Sequence, residues 1–355
     1  MHLAARPWEE AWADALYGPR GFYRQHAPAE HFATTVQGIP GAGAILAEAV
    51  VILAARHGAE RIVDVAAGRG ELLAHLRQQA PGLHLTGVDV VACPDGLDVD
   101  CWLVAPGGAQ LPDQLRGLEK TLVIAHEWLD VVPAPVVERD LVGPPDQVVW
   151  RVLTVDPHGV EARAVRVEGE DLSWLERWVP SSVIRAEVGR PRDLAWLDLL
   201  SRVETGLVIA IDYGHTFADR PVHGTFTGFR RGREVLPLPD GSCDLTAHVA
   251  VDSLAAGLSP AGAPRTTPPM PTTGPPITPT RDVTLPTDPG QCHVLLQRDV
   301  LRDLLDVTTA SPVPHELART RPTAYLEAVA RRSALLALTA PGGLGGFHWV
   351  MAVRG

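Results

Sequence analysis

The chain has 355 residues, 46% of them hydrophobic, and a formal net charge of -11. That length fills one large domain or two smaller ones, and the acidic balance excludes a nonspecific electrostatic grip on nucleic acid. Cys93, Cys101, Cys243 and Cys292 form no C-x-x-C pair, and the histidines form no H-x-x-x-H or H-E-x-x-H, so neither a disulfide framework nor a metal site is expected.

The opening residues, Met1 to Pro7, lack the apolar core of a signal peptide. The longest apolar run, Ala44 to Ala55, is broken by Glu48 and is too short to cross a bilayer. A cytoplasmic protein with no membrane contact is the expectation. Trp8, Trp12 and Leu16 fall at helical spacing and predict an amphipathic helix over 8–17, stopped at Tyr17-Gly18-Pro19. An alanine-rich helix is predicted over 41–57, so that residues 1–57 read as an N-terminal helical segment. A strand over 61–66, a helix over 70–79 stopped by Pro81, and a strand over 83–89 follow. A third strand is expected over 98–104. Leu122-Val123-Ile124-Ala125 is continuously apolar, as in a parallel strand covered on both faces.

Between about 135 and 170 the pattern changes to short β runs, with turns at Gly143-Pro144-Pro145 and at Asp156 to Gly159. They predict an inserted β-meander. Helices over 171–178 and 193–204 lead to Leu207-Val208-Ile209-Ala210-Ile211-Asp212, another buried strand. Proline and threonine dominate 257–290, a composition that buries too little apolar surface to offset ordering entropy, and this stretch reads as a linker. Helices over 294–305 and 322–337 and a closing strand over 347–353 complete the pattern. The expected architecture is α/β. A doubly wound, Rossmann-like core spans 58–256, and 291–355 supplies the C-terminal helices and last strand of the same domain.

Ile62-Val63-Asp64-Val65-Ala66-Ala67-Gly68-Arg69-Gly70-Glu71 reads as a buried strand carrying an acid, a glycine turn and a helix start. Asp89 ends the next strand, nineteen residues beyond Gly70. Glycines let a backbone approach a nucleoside, and the distal carboxylate takes the ribose hydroxyls. A dinucleotide site wants a third glycine where this chain has Leu73, and it wants free N–H groups for a pyrophosphate. S-adenosylmethionine (SAM) has no phosphate, and Asp64 suits its ammonium. Asp64, Ala66, Gly68, Gly70 and Asp89 are therefore the candidate SAM-binding residues. NAD, and a turn with no ligand, remain the alternatives. Asp64, Asp89, Glu127 and Asp212 all fall at or near predicted strand C-termini, the edge where such sheets bind ligands.

Further strings resemble a known family. They are Ala15-Leu16-Tyr17-Gly18-Pro19-Arg20-Gly21-Phe22-Tyr23, Phe32-Ala33-Thr34-Thr35, Gly68-Arg69-Gly70-Glu71-Leu72, Glu127-Trp128-Leu129-Asp130-Val131-Val132-Pro133, Ile211-Asp212-Tyr213-Gly214-His215, Asp244-Leu245-Thr246-Ala247-His248-Val249 and Gly343-Leu344-Gly345-Gly346-Phe347-His348-Trp349. In that order they resemble the MidA-like SAM-dependent methyltransferases, and actinobacterial-type members in particular. The mitochondrial members of that family are assembly factors for respiratory complex I. The resemblance implies a class I methyltransferase fold with SAM as cofactor and, from the mitochondrial members, arginine methylation of a partner protein. The chain departs from the family pattern at Ala66, where Gly is usual, and at Asp64 and Asp89, where Glu is frequent. It departs again at His126-Glu127, where the family has Asn-Glu.

Methyl transfer needs orientation and well-placed charge rather than a protein nucleophile. Glu127 is the candidate to hold a guanidinium in fork geometry; the plain alternative is a helix cap. Asp212 would orient substrate or support the site electrostatically, or else bond its own turn. His248 would accept a proton or order a loop. Asp130 reads as a helix cap. Thr34 and Thr35 would close over SAM or serve an ordinary turn. Trp174, Trp178 and Trp196 read as helix packing, since no basic patch accompanies them for base stacking. The expected function is SAM-dependent methylation of a protein side chain, arginine being the candidate. The rival readings are a noncatalytic SAM-binding or assembly protein that keeps the fold, and a NAD-dependent dehydrogenase.

Overall fold

The computed structural model describes residues 5–25, 38–140, 148–257, 284–305 and 313–355. Thr34, its neighbours Phe32, Ala33 and Thr35, and most of the Pro/Thr-rich stretch lie outside the described residues. Seven strands form the central sheet: β1 (Arg61–Val65), β2 (His84–Asp89), β3 (Cys101–Val104), β4 (Thr121–His126), β5 (Gly206–Asp212), β6 (Cys292–Leu296) and β7 (His348–Arg354). Their spatial order is β3-β2-β1-β4-β5-β7-β6. Only β7 runs against the rest. This is the expected Rossmann-like sheet. Its order switches between β1 and β4, where an open α/β sheet leaves a crevice at the carboxyl ends of its strands.

The central strands form because both of their faces are covered. Every residue of β4 and β5 is buried. Leu122 and Ile124 of β4 join a cluster with Leu46 and Leu53 of α2 (Ala42–Arg56) and Leu73 and Leu76 of α3 (Glu71–Gln79). Val123 and Ala125, alternating to the opposite face, join Trp196, Leu199 and Leu200 of a helix over Arg190–Ser201. Trp196 thus packs a helix on the core, as expected.

The missing third glycine of the turn has a structural counterpart. Leu73 is fully buried in α3. A Cβ on Gly87, in the facing strand β2, would lie 2.4 Å from the Trp102 ring and 3.0 Å from Leu73 Cδ1. The room for close helix–strand packing is supplied from the strand side.

The inserted β region is larger than the sequence suggests. Strands Val136–Arg139, Trp150–Val155 and Glu161–Arg166 pair antiparallel, and Arg185–Glu187 and Arg6–Pro7 join the same sheet. The helix α1 (Trp8–Tyr17) docks beside it. Trp8 Nε1 donates to Glu161 Oε1 at 2.6 Å, and Trp12 Nε1 donates to the Leu245 carbonyl at 3.0 Å. The Phe226 ring lies against both indoles, 4.8 and 4.5 Å away. At the other end of the chain the helix expected over 294–305 begins as strand. Cys292–Leu296 pairs with β7, and the helix runs only over Gln297–Leu304. Among the described residues no helix is long and apolar enough to cross a membrane.

Candidate active site

One cavity opens at the carboxyl ends of β1, β2 and β4. Asp64, Ala66, Gly68, Asp89 and Glu127 all line it. The turn after β1 is built from left-handed residues: Ala66 has φ 60°, Gly68 φ 60° and Gly70 φ 77°. A Cβ on Gly68 would meet only Glu71 Oε2, at 3.7 Å, so this glycine leaves the backbone open toward the cavity. Gly70 does not line the cavity. Its missing side chain makes room for Leu97, whose Cδ2 would sit 2.3 Å from a Cβ.

Ala66 pays a steric cost for its φ, because L-residues lose about 1–2 kcal/mol in the left-handed region. Glycine in its place should raise stability by ~0.5–1 kcal/mol after the added chain entropy of the unfolded state. Chemical denaturation of Ala66→Gly checks this; a loss of stability would show that the methyl group's packing outweighs the backbone relief.

Asp89 is tied into the turn. Gly68 N–H donates to its Oδ2 at 2.8 Å, and Val91 N–H donates to its Oδ1 at 3.2 Å. Burial raises its pKa, and these backbone hydrogen bonds oppose the rise. Asp64 is only 2% exposed, and no hydrogen bond or cation among the described residues steadies the charge on its carboxyl. Burial, followed by the charges of Asp89 and Glu71, holds its carboxyl well above the usual carboxylate range. A cation placed beside it would reverse that shift. The cavity walls carry four carboxyl side chains, Asp64, Glu71, Asp89 and Glu127, against one guanidinium, Arg69. Such a field opposes a pyrophosphate and favours a ligand with net positive charge. A buried, unpartnered carboxyl, an open glycine turn and an acid on the second strand fit SAM.

Glu127 follows β4 with φ 52°, a second non-glycine residue held left-handed at the cavity. Its N–H donates to the Ile211 carbonyl at 2.8 Å, which anchors it to β5. His126 Nε2 lies 3.3 Å from Glu127 Oε1. Burial holds the imidazole pKa at about 3, so it is neutral at physiological pH, and Nε2 lacks a properly directed hydrogen bond. The contact is therefore not an ion pair.

Asp212 and His248 do not line the cavity. Asp212 is buried, and its Oδ2 accepts the Leu129 N–H at 2.9 Å. Asp130 is buried beside it and takes the Thr246 hydroxyl at 2.7 Å. His248 is an exposed residue whose ring stacks on Tyr213, with centroids 5.7 Å apart. Its N–H donates to Thr225 Oγ1 at 2.9 Å. Among the described residues, no group of His, Cys, Asp or Glu side chains is arranged to hold a metal ion.

Several lining residues escape the spacing argument. Tyr17 and Tyr23 come from the N-terminal segment and reach the cavity. The Tyr17 hydroxyl donates to the Val131 carbonyl at 2.9 Å, and the Tyr23 hydroxyl donates to Asp244 Oδ1 at 2.7 Å. Their only sequence signal is the string from Ala15 to Tyr23. Gly107, Gly108 and Gln110, after β3, form another wall, where Trp128 Nε1 donates to the Gly108 carbonyl at 3.0 Å. Nothing in the sequence spacing marks Arg192, which is fully buried and donates to four backbone carbonyls: Asp130, Val132, Ala247 and His248.

Comparison with known proteins agrees with this geometry. Residues 101–263 match a family described as "Putative S-adenosyl-L-methionine-dependent methyltransferase". A COG1565 superfamily member from Burkholderia thailandensis, solved bound to S-adenosyl-homocysteine, superposes with a TM-score of 0.69 at 19% identity. The match covers 99% of this chain and 88% of that one. The native structure of an uncharacterized COG1565 superfamily protein from the same organism gives a TM-score of 0.69 at 19% identity, with 99% and 87% coverage. No curated protein matches the chain. Residues 101–263, a little under half of the chain, thus match a family of putative SAM-dependent methyltransferases, and the described residues share the fold of these two structures.

Proposed function

We propose that this methyltransferase acts on a protein side chain, arginine being the candidate acceptor, and that it is a MidA-like enzyme. The observation that carries the SAM reading is that Asp64 and Asp89 face one cavity across an open glycine turn. Asp64 would take the ammonium of SAM, Asp89 the ribose hydroxyls, and the Gly68 backbone the space between them. When bound, SAM supplies an electrophilic methyl group on a sulfonium that departs as a neutral thioether. The protein's part is orientation, worth up to ~7–11 kcal/mol in favourable intramolecular models. Glu127 is the residue we assign to the acceptor. It lines the cavity, its backbone is hydrogen-bonded to β5, and its carboxylate suits the fork geometry of a guanidinium.

One experiment tests both halves of this reading. Purified protein is given SAM carrying a labelled methyl group in bacterial lysate, alongside Glu127→Ala, and calorimetry compares SAM with NAD. The expected result is heat with SAM only and a labelled protein band that falls by at least ~100-fold in the variant, the scale of a lost charge-assisted contact. Heat with NAD and none with SAM would overturn the cofactor assignment. A band unchanged in Glu127→Ala would remove Glu127 from the chemistry. His126, neutral and buried where the resembled family has asparagine, favours one alternative: a protein that binds SAM and serves in assembly without turnover. Tight SAM binding with no labelled product in any fraction would select it.

A further inference from the structure

We propose that Asp130 and Asp212 share one proton and act as a positioning pair that sets the loop after β4 against the cofactor cavity. The proposal rests on reading that cavity as a SAM site. Asp212 ends β5 and holds the loop through the Leu129 N–H. Asp130, on the same loop, is tied to Thr246. Because Asp212 accepts the N–H of Leu129, the residue next to Asp130, the two carboxyls lie side by side, close enough for one to donate to the other once protonated. Oδ1 of each is buried and meets no donor from any other group among the described residues. Two carboxylates are acceptors only, so this contact requires a proton on one of them.

The surroundings say which carboxyl holds the proton. Burial, then Asp130 and Glu127, push Asp212 well above the usual carboxylate range. Burial also raises Asp130, but the Thr246 hydroxyl and the Arg192 guanidinium oppose that rise. Asp212 is therefore the donor and Asp130 the acceptor, although the titration belongs to the pair. The other groups facing them are His248, Tyr213, Asp244, Tyr17 and Tyr23. Arg192 is the one guanidinium in this set, and its hydrogen bonds go to backbone carbonyls rather than to either carboxylate. Loss of the shared proton leaves two buried carboxylates in contact, and the loop carrying Glu127, Trp128 and Val131 loses its anchor. All three residues line the cavity.

Asp212→Asn fixes the protonated arrangement permanently: its amide N–H₂ donates to Asp130, and its carbonyl accepts the Leu129 N–H. SAM affinity is measured by calorimetry from about pH 4 to alkaline pH for wild type and variant, with thermal melts at each pH. The wild type is expected to lose roughly tenfold in affinity as the pair gives up its proton, while Asp212→Asn stays flat. Equal slopes in the two proteins would overturn the proposal. If Asp212→Asn does not fold, Asp130→Asn is the second variant, since its amide donates to Asp212 and predicts the same flat profile. The melts follow from linkage. A carboxyl whose folded pKa is raised loses stability as pH climbs from its unfolded value, about 3.9, to its folded value. Wild-type stability should therefore fall relative to Asp212→Asn across that window. If the wild type binds no SAM at any pH, the cavity reading fails, and this melting difference alone decides whether the proton is shared.

Discussion

Asp89→Ala should weaken SAM binding by at least ~100-fold, equivalent to about 2.7 kcal/mol, measured by calorimetry at constant pH. Two losses combine. The Gly68 and Val91 N–H groups lose the carboxylate that orders the turn, and hydrogen bonds to a charged group contribute ~1.5–3 kcal/mol. The ligand also loses the acceptor for its vicinal hydroxyls. Asp89→Asn separates the two effects. It keeps one acceptor oxygen for the turn but gives up the charge, so its loss should be intermediate. Wild-type affinity in Asp89→Ala would disprove the assignment of the nucleoside to this edge of the sheet.

Arg192→Leu should lower unfolding free energy by roughly 4 kcal/mol. The leucine fills much of the volume but takes a donor from four backbone carbonyls; the Asp130 carbonyl keeps the Ala247 N–H, and each of the others loses a hydrogen bond whose absence costs ~1–3 kcal/mol before relaxation. Lysine is not a substitute, because its three donors radiate from one point while the guanidinium offers five in a plane. The Arg192 guanidinium also lies 5.4 Å from the centroid of the Trp12 ring, so α1 loses a neighbour at the same time. Denaturant titration measures the change. A loss under ~1 kcal/mol would mean that water replaces the guanidinium at little cost.

The parts of the fold that were legible are those that local physics decides alone. β4 and β5 are short, unbroken apolar runs because both faces are covered, and that burial is written in their composition. The turn from Asp64 to Gly70 was legible because its backbone demands glycine, and Asp89 because an acid closes the neighbouring strand. β6 was not. Cys292–Leu296 sits half-buried beside β7 and runs straight into the amphipathic helix Gln297–Leu304, so its few apolar residues merge with the helical pattern. Arg185–Glu187 is three residues long, and its pairing with the distant Val136–Arg139 makes it a strand. At the site, the sequence marked Asp212 as an acid at a strand end. It could not show that the side chain turns inward to Leu129 and Asp130 instead of facing the cavity. Arg192 follows Pro191 at a helix start and looks like any surface charge; only tertiary contacts reveal its four carbonyl partners.

The long reach of α1 has a consequence for the order of assembly. Trp12 must find a carbonyl 233 residues downstream, and Tyr17 one 114 residues downstream. A helix of ten residues is marginal alone in water. At a translation speed of ~5–20 residues per second, the ribosome needs on the order of tens of seconds to deliver the partner of Trp12. Throughout that interval the Trp12 indole waits without its carbonyl, while Trp8 meets Glu161 sooner, 153 residues downstream. A nascent chain would acquire a finished cofactor pocket only late, when its first helix finally docks.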